Sequence, residues 1–242
     1  MREAGYGAEV MDWRIYVRIG IFVDLNVYND YEKFFVSLLV SELSKRGHEI
    51  SLYVPENMEC GFSGAKNTVH LVGKSESSNQ AGGLKKRISY VKFGFSRQGW
   101  FSQLFLATEK DALDAVIFPF ADYRCLRAVQ KNNLRDSSVP ILFFVHNLAA
   151  GSAIKVFREA KKMSGHKNLR IVALTFDGHL FPQRLENLFS TYPPVPEADV
   201  GAMDNKMLEG INQKALTPEA FALRVEKIIN AEYTKIIKEN NK

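Results

Sequence analysis

The chain has 242 residues and lacks the features that mark several special classes of protein. Its only two cysteines, Cys60 and Cys125, have neither the spacing of a metal site nor the number of a disulfide framework, which favours a reducing compartment. No apolar stretch approaches the roughly 20 residues that a membrane-spanning helix needs. We therefore expect a cytoplasmic protein, soluble or peripheral on the inner face of the membrane.

Motifs of several enzyme classes are also missing. No Asp-x-Asp pair is present, no Gly-x-Gly-x-x-Gly follows the first predicted strand, and no Gly-x-Ser-x-Gly elbow occurs. The five histidines lack the spacing of zinc ligands. Gly73-Lys74-Ser75 is similar to the end of a phosphate-binding loop, but Thr68 occupies the position of its required first glycine. Dehydrogenase, hydrolase and zinc-enzyme functions are therefore disfavoured.

Negative charge is missing from one long window. No carboxylate lies between Glu76 and Glu109, and the five cations of this window equal the net charge of +5 of the whole chain. Aromatic residues are interleaved with these cations. We predict a basic patch made of Lys85, Lys86, Arg87, Lys92, Arg97, Trp100 and Phe101.

Two interpretations of this basic patch stay open. Either it rests on an anionic membrane, where each cation contributes ~1 kcal/mol, or it is a solvated loop whose apolar residues pack on the rest of the protein. No recognised nucleic-acid-binding motif accompanies the cations, so nucleic acid is not an expected partner.

What is present is an alternation of strands and helices. Apolar residues alternate over 15–23, and the polar stretch 24–30 leads into a helix that Asn29 can cap and Gly47 ends. A second strand follows at 49–54. A strand, a helix and a strand of these lengths form a βαβ unit, in which the two strands are parallel.

The alternation continues along the chain. Further strands are predicted at 69–72, 115–120, 140–145, 169–175 and 188–192, and further helices at 121–130, 152–163 and 181–188. This order predicts an α/β fold with a Rossmann-like, doubly wound, mostly parallel sheet. Thr217-Pro218-Glu219 begins a last helix, whose apolar stripe includes Phe221, Val225 and Ile229.

Segments of this alternation resemble the N-terminal half of family 4 glycosyltransferases, which have the GT-B fold. They are 18–50, which ends in Arg46-Gly47-His48-Glu49-Ile50, and the strands at 114–118, 140–146 and 171–175. Residues 187–195 resemble the approach to the interdomain junction of that family, and 217–229 resemble its closing helix. The resemblance implies a single GT-B half-domain, the acceptor-binding half, with a C-terminal helix packed back on it.

The sequence also predicts the limits of the parts of the chain, with an extension and a linker where the apolar periodicity is absent. We expect an N-terminal extension at 1–13, a Rossmann-like domain at 14–196, a linker at 197–216 and the returning helix at 217–242. The donor-binding domain of the family, typically marked by two glutamates separated by seven residues, is expected to be absent from this chain. A donor-binding domain or subunit is therefore an expected partner.

The implied function is transfer of a sugar from a nucleotide-sugar donor to a glycan or lipid-linked glycan acceptor in surface polysaccharide synthesis. The resemblance implies that the reaction uses no metal and no cofactor, since the nucleotide sugar is a substrate of the complete enzyme. This chain alone is expected to be inactive. The alternative is a non-catalytic binding module that recruits acceptor or membrane to a separate catalytic subunit.

The carboxyl ends of the parallel strands form the expected binding edge. His146 ends one strand at a position where related enzymes often place a histidine near the reacting sugar, and it is the candidate catalytic residue; the alternative is a histidine bonded to backbone. Asp177 either caps a turn or acts as a base. The predicted substrate-binding residues are Asp24, Asn26, Asn29, Asp30, His146, Asn147, Thr175 and Asp177.

The turn after the first strand departs from the family pattern. Paired glycines usually admit the donor phosphates there, whereas Asn29 and Asp30 occupy the matching positions in this chain. Asp30 adds a carboxylate where phosphate would approach, although the helix N-terminus beside it still favours an anion. We therefore do not expect donor binding in the usual manner at this turn.

Overall fold

The computed structural model describes residues 16–23, 30–55, 62, 64–71, 110–130, 139–146, 150–166, 168–175, 181, 185–196 and 217–240. The strands are β1 (Arg18–Phe22), β2 (Glu49–Pro55), β3 (Asn67–Leu71), β4 (Ala115–Phe118), β5 (Ile141–Val145), β6 (Leu169–Leu174) and β7 (Leu188–Thr191). The helices are α1 (Asp30–Lys45), α2 (Tyr123–Gln130), α3 (Ala150–Lys162) and α4 (Pro218–Asn240).

The seven strands form one open sheet in the order β3-β2-β1-β4-β5-β6-β7. Every neighbouring pair is parallel. Ile19 of β1 is in register with Ile50 of β2 on one side and with Ala115 of β4 on the other. The direction of strand addition reverses at β1, so the predicted doubly wound α/β fold is confirmed and its topological switch point lies between β1 and β4.

One face of the sheet is covered by α1 and α4. Ile19 and Ile21 of β1 are fully buried in a cluster with Phe35 and Leu39 of α1 and Phe221 of α4. Successive strand residues point to opposite faces, so the alternation read from the sequence of β1 corresponds to this packing.

The opposite face is covered by α2 and α3. Phe22 of β1 stacks on Tyr53 of β2, with ring centroids 4.1 Å apart and 5° between the ring planes. Cys125 of α2 and Val156 of α3 belong to the same buried cluster. Both faces of β1 are therefore buried, which gives the sheet two hydrophobic cores.

A buried carboxylate joins α2 to α3. Glu159 is 1% exposed and accepts hydrogen bonds from Arg127 at 3.1 Å, Gln130 at 3.0 Å and Lys162 at 3.0 Å. Burial by itself would raise the pKa of Glu159, but the hydrogen bonds from Lys162, Arg127 and Gln130 outweigh burial and lower it. The carboxylate therefore stays ionised at neutral pH and holds the two helices together.

The first βαβ unit ends its helix as the sequence predicts. Gly47 has φ of 92°, a left-handed conformation that suits glycine, and the backbone N–H of His48 donates to the carbonyl of Leu43 at 3.2 Å. The chain then enters β2 at Glu49.

The last helix returns to the sheet, which confirms the predicted packing of the C-terminal helix. The N–H of Ala220 donates to the side-chain oxygen of Thr217 at 3.3 Å, so Thr217 caps the helix. The Phe221 ring lies 5.5 Å from the Phe35 ring of α1 and 5.7 Å from the Phe144 ring of β5, measured between centroids. The helix thereby joins α1 to the second half of the sheet.

Two carboxylates of α4 reinforce this packing. Glu226 contacts Arg46 at 3.3 Å and His48 at 3.4 Å, next to the end of α1. Burial lowers the pKa of His48, while Glu226 acts in the opposite direction. Glu232 forms an ion pair with Arg170 of β6, and both side chains are buried.

The prediction of a helix at 181–188 is wrong. At the described positions 181 and 185–188 the backbone forms a bend, a turn and an antiparallel bridge between Leu185 and Leu188, and then enters β7. The side-chain amide of Asn187 donates to the carbonyl of Ala160 at 2.8 Å, and this tertiary contact ties the segment to α3. A hydrogen bond to another element has overridden the helical spacing of the apolar residues.

Other expectations lie outside the described residues: the extension at 1–13, the linker at 197–216 and the basic patch. The limits of the domains stay predictions. Within the part of the chain that the structure describes, no helix combines the length and apolar character needed to span a bilayer.

Gly20, in the middle of β1, provides a test of the packing between the two halves of the sheet. A Cβ added there would lie 2.5 Å from Cδ1 of Leu113, 3.0 Å from the Phe22 ring and 3.2 Å from the Tyr53 ring. We expect Gly20→Ala to lower the free energy of unfolding by about 1–3 kcal/mol, because the Leu113 side chain must move away from the added methyl group and the stacked rings of Phe22 and Tyr53 must shift. Urea unfolding followed by circular dichroism measures this change.

The matched control is Gly151→Ala in α3, where an added Cβ meets no atom within 4 Å. Alanine is favoured over glycine in helices by roughly 0.5–1 kcal/mol, so the control should be neutral or slightly stabilising. Equal stability of Gly20→Ala and the unchanged protein would contradict the packing described for β1.

The ion pair between Arg170 and Glu232 provides a second test. We expect Arg170→Met to destabilise the protein by about 3–5 kcal/mol, because the variant removes the cation that pairs with the buried Glu232 carboxylate. The double variant Arg170→Met with Glu232→Leu should recover most of the loss, since no buried charge remains. Urea unfolding of both variants measures these changes in the free energy of unfolding. A double variant no more stable than Arg170→Met would show that α4 is not held as described.

Candidate functional site

The candidate site lies at the carboxyl edge of the sheet, beside the switch point. β1, β4 and β5 end side by side there, and the chain continues from them into Val23, Pro119 and His146. α1 starts at the same edge with Asp30. In open parallel sheets this crevice is where ligands bind.

His146 is held by a backbone carbonyl of the neighbouring strand end. Its Nε2 lies 2.7 Å from the carbonyl oxygen of Pro119. A carbonyl can only accept, so Nε2 carries the proton and donates it. The Nδ1 atom is then an acceptor, and the hydroxyl of Tyr31 donates to it across 3.4 Å. That distance is longer than an ordinary hydrogen bond of ~2.7–3.2 Å, so this contact is weak.

Aromatic rings surround the imidazole. The ring centroid of His146 lies 4.6 Å from that of Phe35, 4.9 Å from that of Phe120 and 5.8 Å from that of Tyr31. Burial among them lowers the pKa of His146 to about 4, against the smaller opposing effect of the Pro119 carbonyl. Burial also raises the pKa of Tyr31 to about 12. Both groups are therefore neutral at physiological pH.

This arrangement limits the chemistry that His146 can perform. A neutral imidazole whose Nε2 proton is already used offers a ligand only the Nδ1 lone pair, so it suits a hydroxyl donor and does not attract phosphate as a cation would. Two interpretations of His146 follow from the sequence, a backbone-bonded ring and a ring near the substrate. The Nε2 atom is bonded to backbone. Only the Nδ1 atom, whose contact with Tyr31 is weak, could accept a hydrogen bond from a ligand hydroxyl.

The start of α1 carries its own negative charge. Asp30 and Glu32 lie in the first turn, where carboxylates interact favourably with the positive end of the helix dipole. Asp30 is exposed and lies at the N-terminus that an anion would otherwise occupy. The carboxylate expected to oppose donor phosphate is thus present at the site edge.

The other predicted site residues divide into two groups. Thr175 follows β6 at the same edge of the sheet, and its backbone N–H donates to the carbonyl of Thr191 at 3.0 Å. The remaining ones lie outside the described residues, so their roles stay predictions: Asp24, Asn26, Asn29, Asn147 and Asp177.

Sequence reasoning missed the partners of His146. In the sequence, Tyr31 and Phe35 fall within the helix predicted between Asn29 and Gly47, and Pro119 and Phe120 fall at the end of the strand predicted at 115–120. One available signal was the position of Tyr31 in the first turn of the helix that follows the switch-point strand. No sequence signal pointed to the Pro119 carbonyl, because every residue, proline included, carries the same backbone acceptor. The described residues contain no group of three or more histidine, cysteine, aspartate or glutamate side chains that could hold a metal ion.

Comparison with known proteins gives structural likeness only. No protein-family model matches the sequence, and no curated protein is significantly similar to it. Solved structures that resemble it include the calicheamicin glycosyltransferase CalG4, at 16% identity and a TM-score of 0.47. The glycosyltransferase SnogD from Streptomyces nogalater matches at 13% and 0.44, and MurG from Acinetobacter baumannii at 14% and 0.37.

These matches cover 75%, 75% and 78% of this chain but only 53%, 53% and 49% of the three structures. The chain therefore spans about half the length of the solved structures it resembles. Because all three TM-scores are below 0.5, the likeness carries no argument about activity.

Proposed function

We propose that this chain is the acceptor-binding half of a glycosyltransferase of the GT-B type. Its reaction would transfer a sugar from a nucleotide-sugar donor to a hydroxyl of a glycan or lipid-linked glycan in surface polysaccharide synthesis. The observation that carries the proposal is the neutral His146 at the switch-point edge, with Nδ1 available to a hydroxyl. The sequence resemblance of the strand ends to family 4 glycosyltransferases supports the same function.

His146 acts in this proposal by orienting the acceptor. An acceptor hydroxyl replaces the Tyr31 hydroxyl and donates to Nδ1, while the Pro119 carbonyl fixes the ring through Nε2. With a pKa of about 4, His146 is a weak base, so it holds the oxygen in position and does not keep the proton. Asp24 and Asp177 are the candidates for the base that takes that proton.

We assign donor binding to a separate domain or subunit. The Asp30 carboxylate stands beside the N-terminus of α1 and disfavours donor phosphate there. The negative charge that develops on the departing nucleotide would therefore be stabilised by a donor-binding domain or subunit. A non-catalytic module that recruits acceptor to such a subunit would use the same site, and reconstitution with the donor-binding partner separates the two functions.

Acceptor binding can be tested by isothermal titration calorimetry with a panel of disaccharides, free and linked to a short prenyl diphosphate. We expect at least one saccharide to bind, and His146→Gln to weaken its binding by about tenfold, because the variant loses the ring acceptor held by Pro119. The matched control is His166→Gln, beyond the end of α3, which should leave binding unchanged.

The same panel with nucleotide sugars provides a second readout. Sugar transfer by this chain alone is expected to be negligible. Rapid turnover without any partner would contradict the proposal that a separate domain or subunit binds the donor. Equal saccharide binding by His146→Gln and the unchanged protein would contradict the proposed acceptor site.

The protonation state of His146 gives a separate prediction. NMR titration should show an imidazole pKa of about 4 with the proton on Nε2, and His146→Gln should remove that resonance. The folded pKa lies below the unfolded value of about 6.5, so this histidine contributes stability that is present above pH ~6.5 and is lost as pH falls toward 4. The unchanged protein should therefore lose more stability than His146→Gln over this interval. An observed pKa near 6.5 would contradict the buried, carbonyl-bonded ring.

A further inference from the structure

A cavity of about 240 Å³, open to solvent, lies beside the contact between α4 and the last three strands of the sheet. Its walls are mainly apolar: Phe144 and Val172 come from β5 and β6, and Phe221, Val225 and Ile228 come from α4. The cavity is larger than the ~150 Å³ apolar cavities that bind ligands of the size of benzene. It can therefore hold part of an apolar chain.

The cavity lies on the face of the sheet that α4 covers. Among the described helices, α2 and α3 pack on the opposite face, so they do not cover the last three strands on this side. α4 lies over the strands at this face, and Phe189 of β7 remains 37% exposed beside the opening. Concave sites with mainly apolar walls and a few polar groups are the usual form of small-molecule binding sites.

The polar groups of the cavity have one sign of charge. Arg224 and Lys227, three residues apart on α4, line it together with Ser190 and Thr191 of β7, and none of the ten lining residues is acidic. The carboxylate of Glu226, between the two cations in sequence, instead contacts Arg46 at 3.3 Å. The lining therefore complements an anion.

Arg224 lies where its side chain can contact both the apolar part and the anionic part of a ligand. Its guanidinium lies 5.6 Å from the centroid of the Phe221 ring, and its Nη2 donates to the carbonyl of Tyr192 at 3.5 Å. Burial lowers the pKa of Arg224, which reflects removal of the guanidinium from water. Interaction with an anion becomes stronger in such surroundings.

We propose that this cavity binds a single-chain anionic amphiphile, with the apolar chain along Phe189 and Ile228, above the buried side chains of Phe144, Val172 and Val225, and a phosphate or carboxylate head at Arg224 and Lys227. A concave site of this size takes one chain, whereas a flat bilayer surface would need an apolar protrusion. Binding does not require a nucleotide sugar or an acceptor sugar, so the proposal stands apart from the proposed function.

Calorimetry with decyl phosphate below its critical micelle concentration tests the proposal. We expect saturable binding with one molecule per chain, and binding at least about tenfold weaker for the uncharged decyl maltoside, because it lacks the charged hydrogen bonds to Arg224 and Lys227. Vesicles of phosphatidylglycerol form the second arm. Binding to vesicles without binding of monomeric decyl phosphate would overturn the proposal.

Two variants localise the bound molecule. Ile228→Trp fills the cavity and should abolish binding, and Arg224→Gln should weaken decyl phosphate about tenfold while leaving decyl maltoside unchanged. The matched control, Lys161→Gln on α3 at the opposite face of the sheet, should bind as the unchanged protein does.

Circular dichroism of each variant verifies folding, and if Ile228→Trp does not fold, Arg224→Gln alone decides. Absence of saturable binding, or equal decyl phosphate binding by Arg224→Gln and Lys161→Gln, would overturn the proposal.

Discussion

The burial of β1 on both of its faces is the constraint on which the rest of the structure depends. Ile19 and Ile21 face α1 and α4, while Phe22 faces α2 and α3, and hydrogen-bonded strands flank β1 on both sides. A strand in this environment must be apolar throughout and must lie inside the sheet. Because strands are added in both directions from β1, the crevice at its carboxyl end forms at the same place where α1 begins. The candidate site is thus a consequence of the core.

The fold could be predicted from the sequence to the extent that local chemistry specifies it. The alternation in β1, the glycine after α1 and the Thr217 cap before α4 are physical signals contained within a few residues, and each produced the expected element. The segment 181–188 could not be predicted in the same way. Its conformation depends on the hydrogen bond from Asn187 to Ala160 of α3, and a contact between distant residues has no local pattern.

The candidate site likewise combines features that a local sequence pattern predicts with features that depend on contacts between distant residues. The strand-end position of His146 was readable from the sequence, because a buried strand that stops at a polar residue is a local pattern. Its protonation state was not, because that state depends on the Pro119 carbonyl, on Tyr31 and on the rings of Phe35 and Phe120. Two different parts of the fold, α1 and the segment that follows β4, contribute these groups. The histidine expected near the reacting sugar therefore presents a hydrogen-bond acceptor to a ligand, and orientation of a hydroxyl is the chemistry that fits it best.

NMR mapping of a bound saccharide onto the backbone amides shows whether the switch-point edge binds the acceptor. The disaccharide found by calorimetry should shift the amide resonances of Phe120, His146 and Thr175 at the carboxyl edge. The resonances of Arg18 and Asp114, which pair with each other at the opposite edge, should stay in place. Shifts confined to the opposite edge, or a bound saccharide that leaves the carboxyl edge unperturbed, would rule out acceptor binding at the switch point.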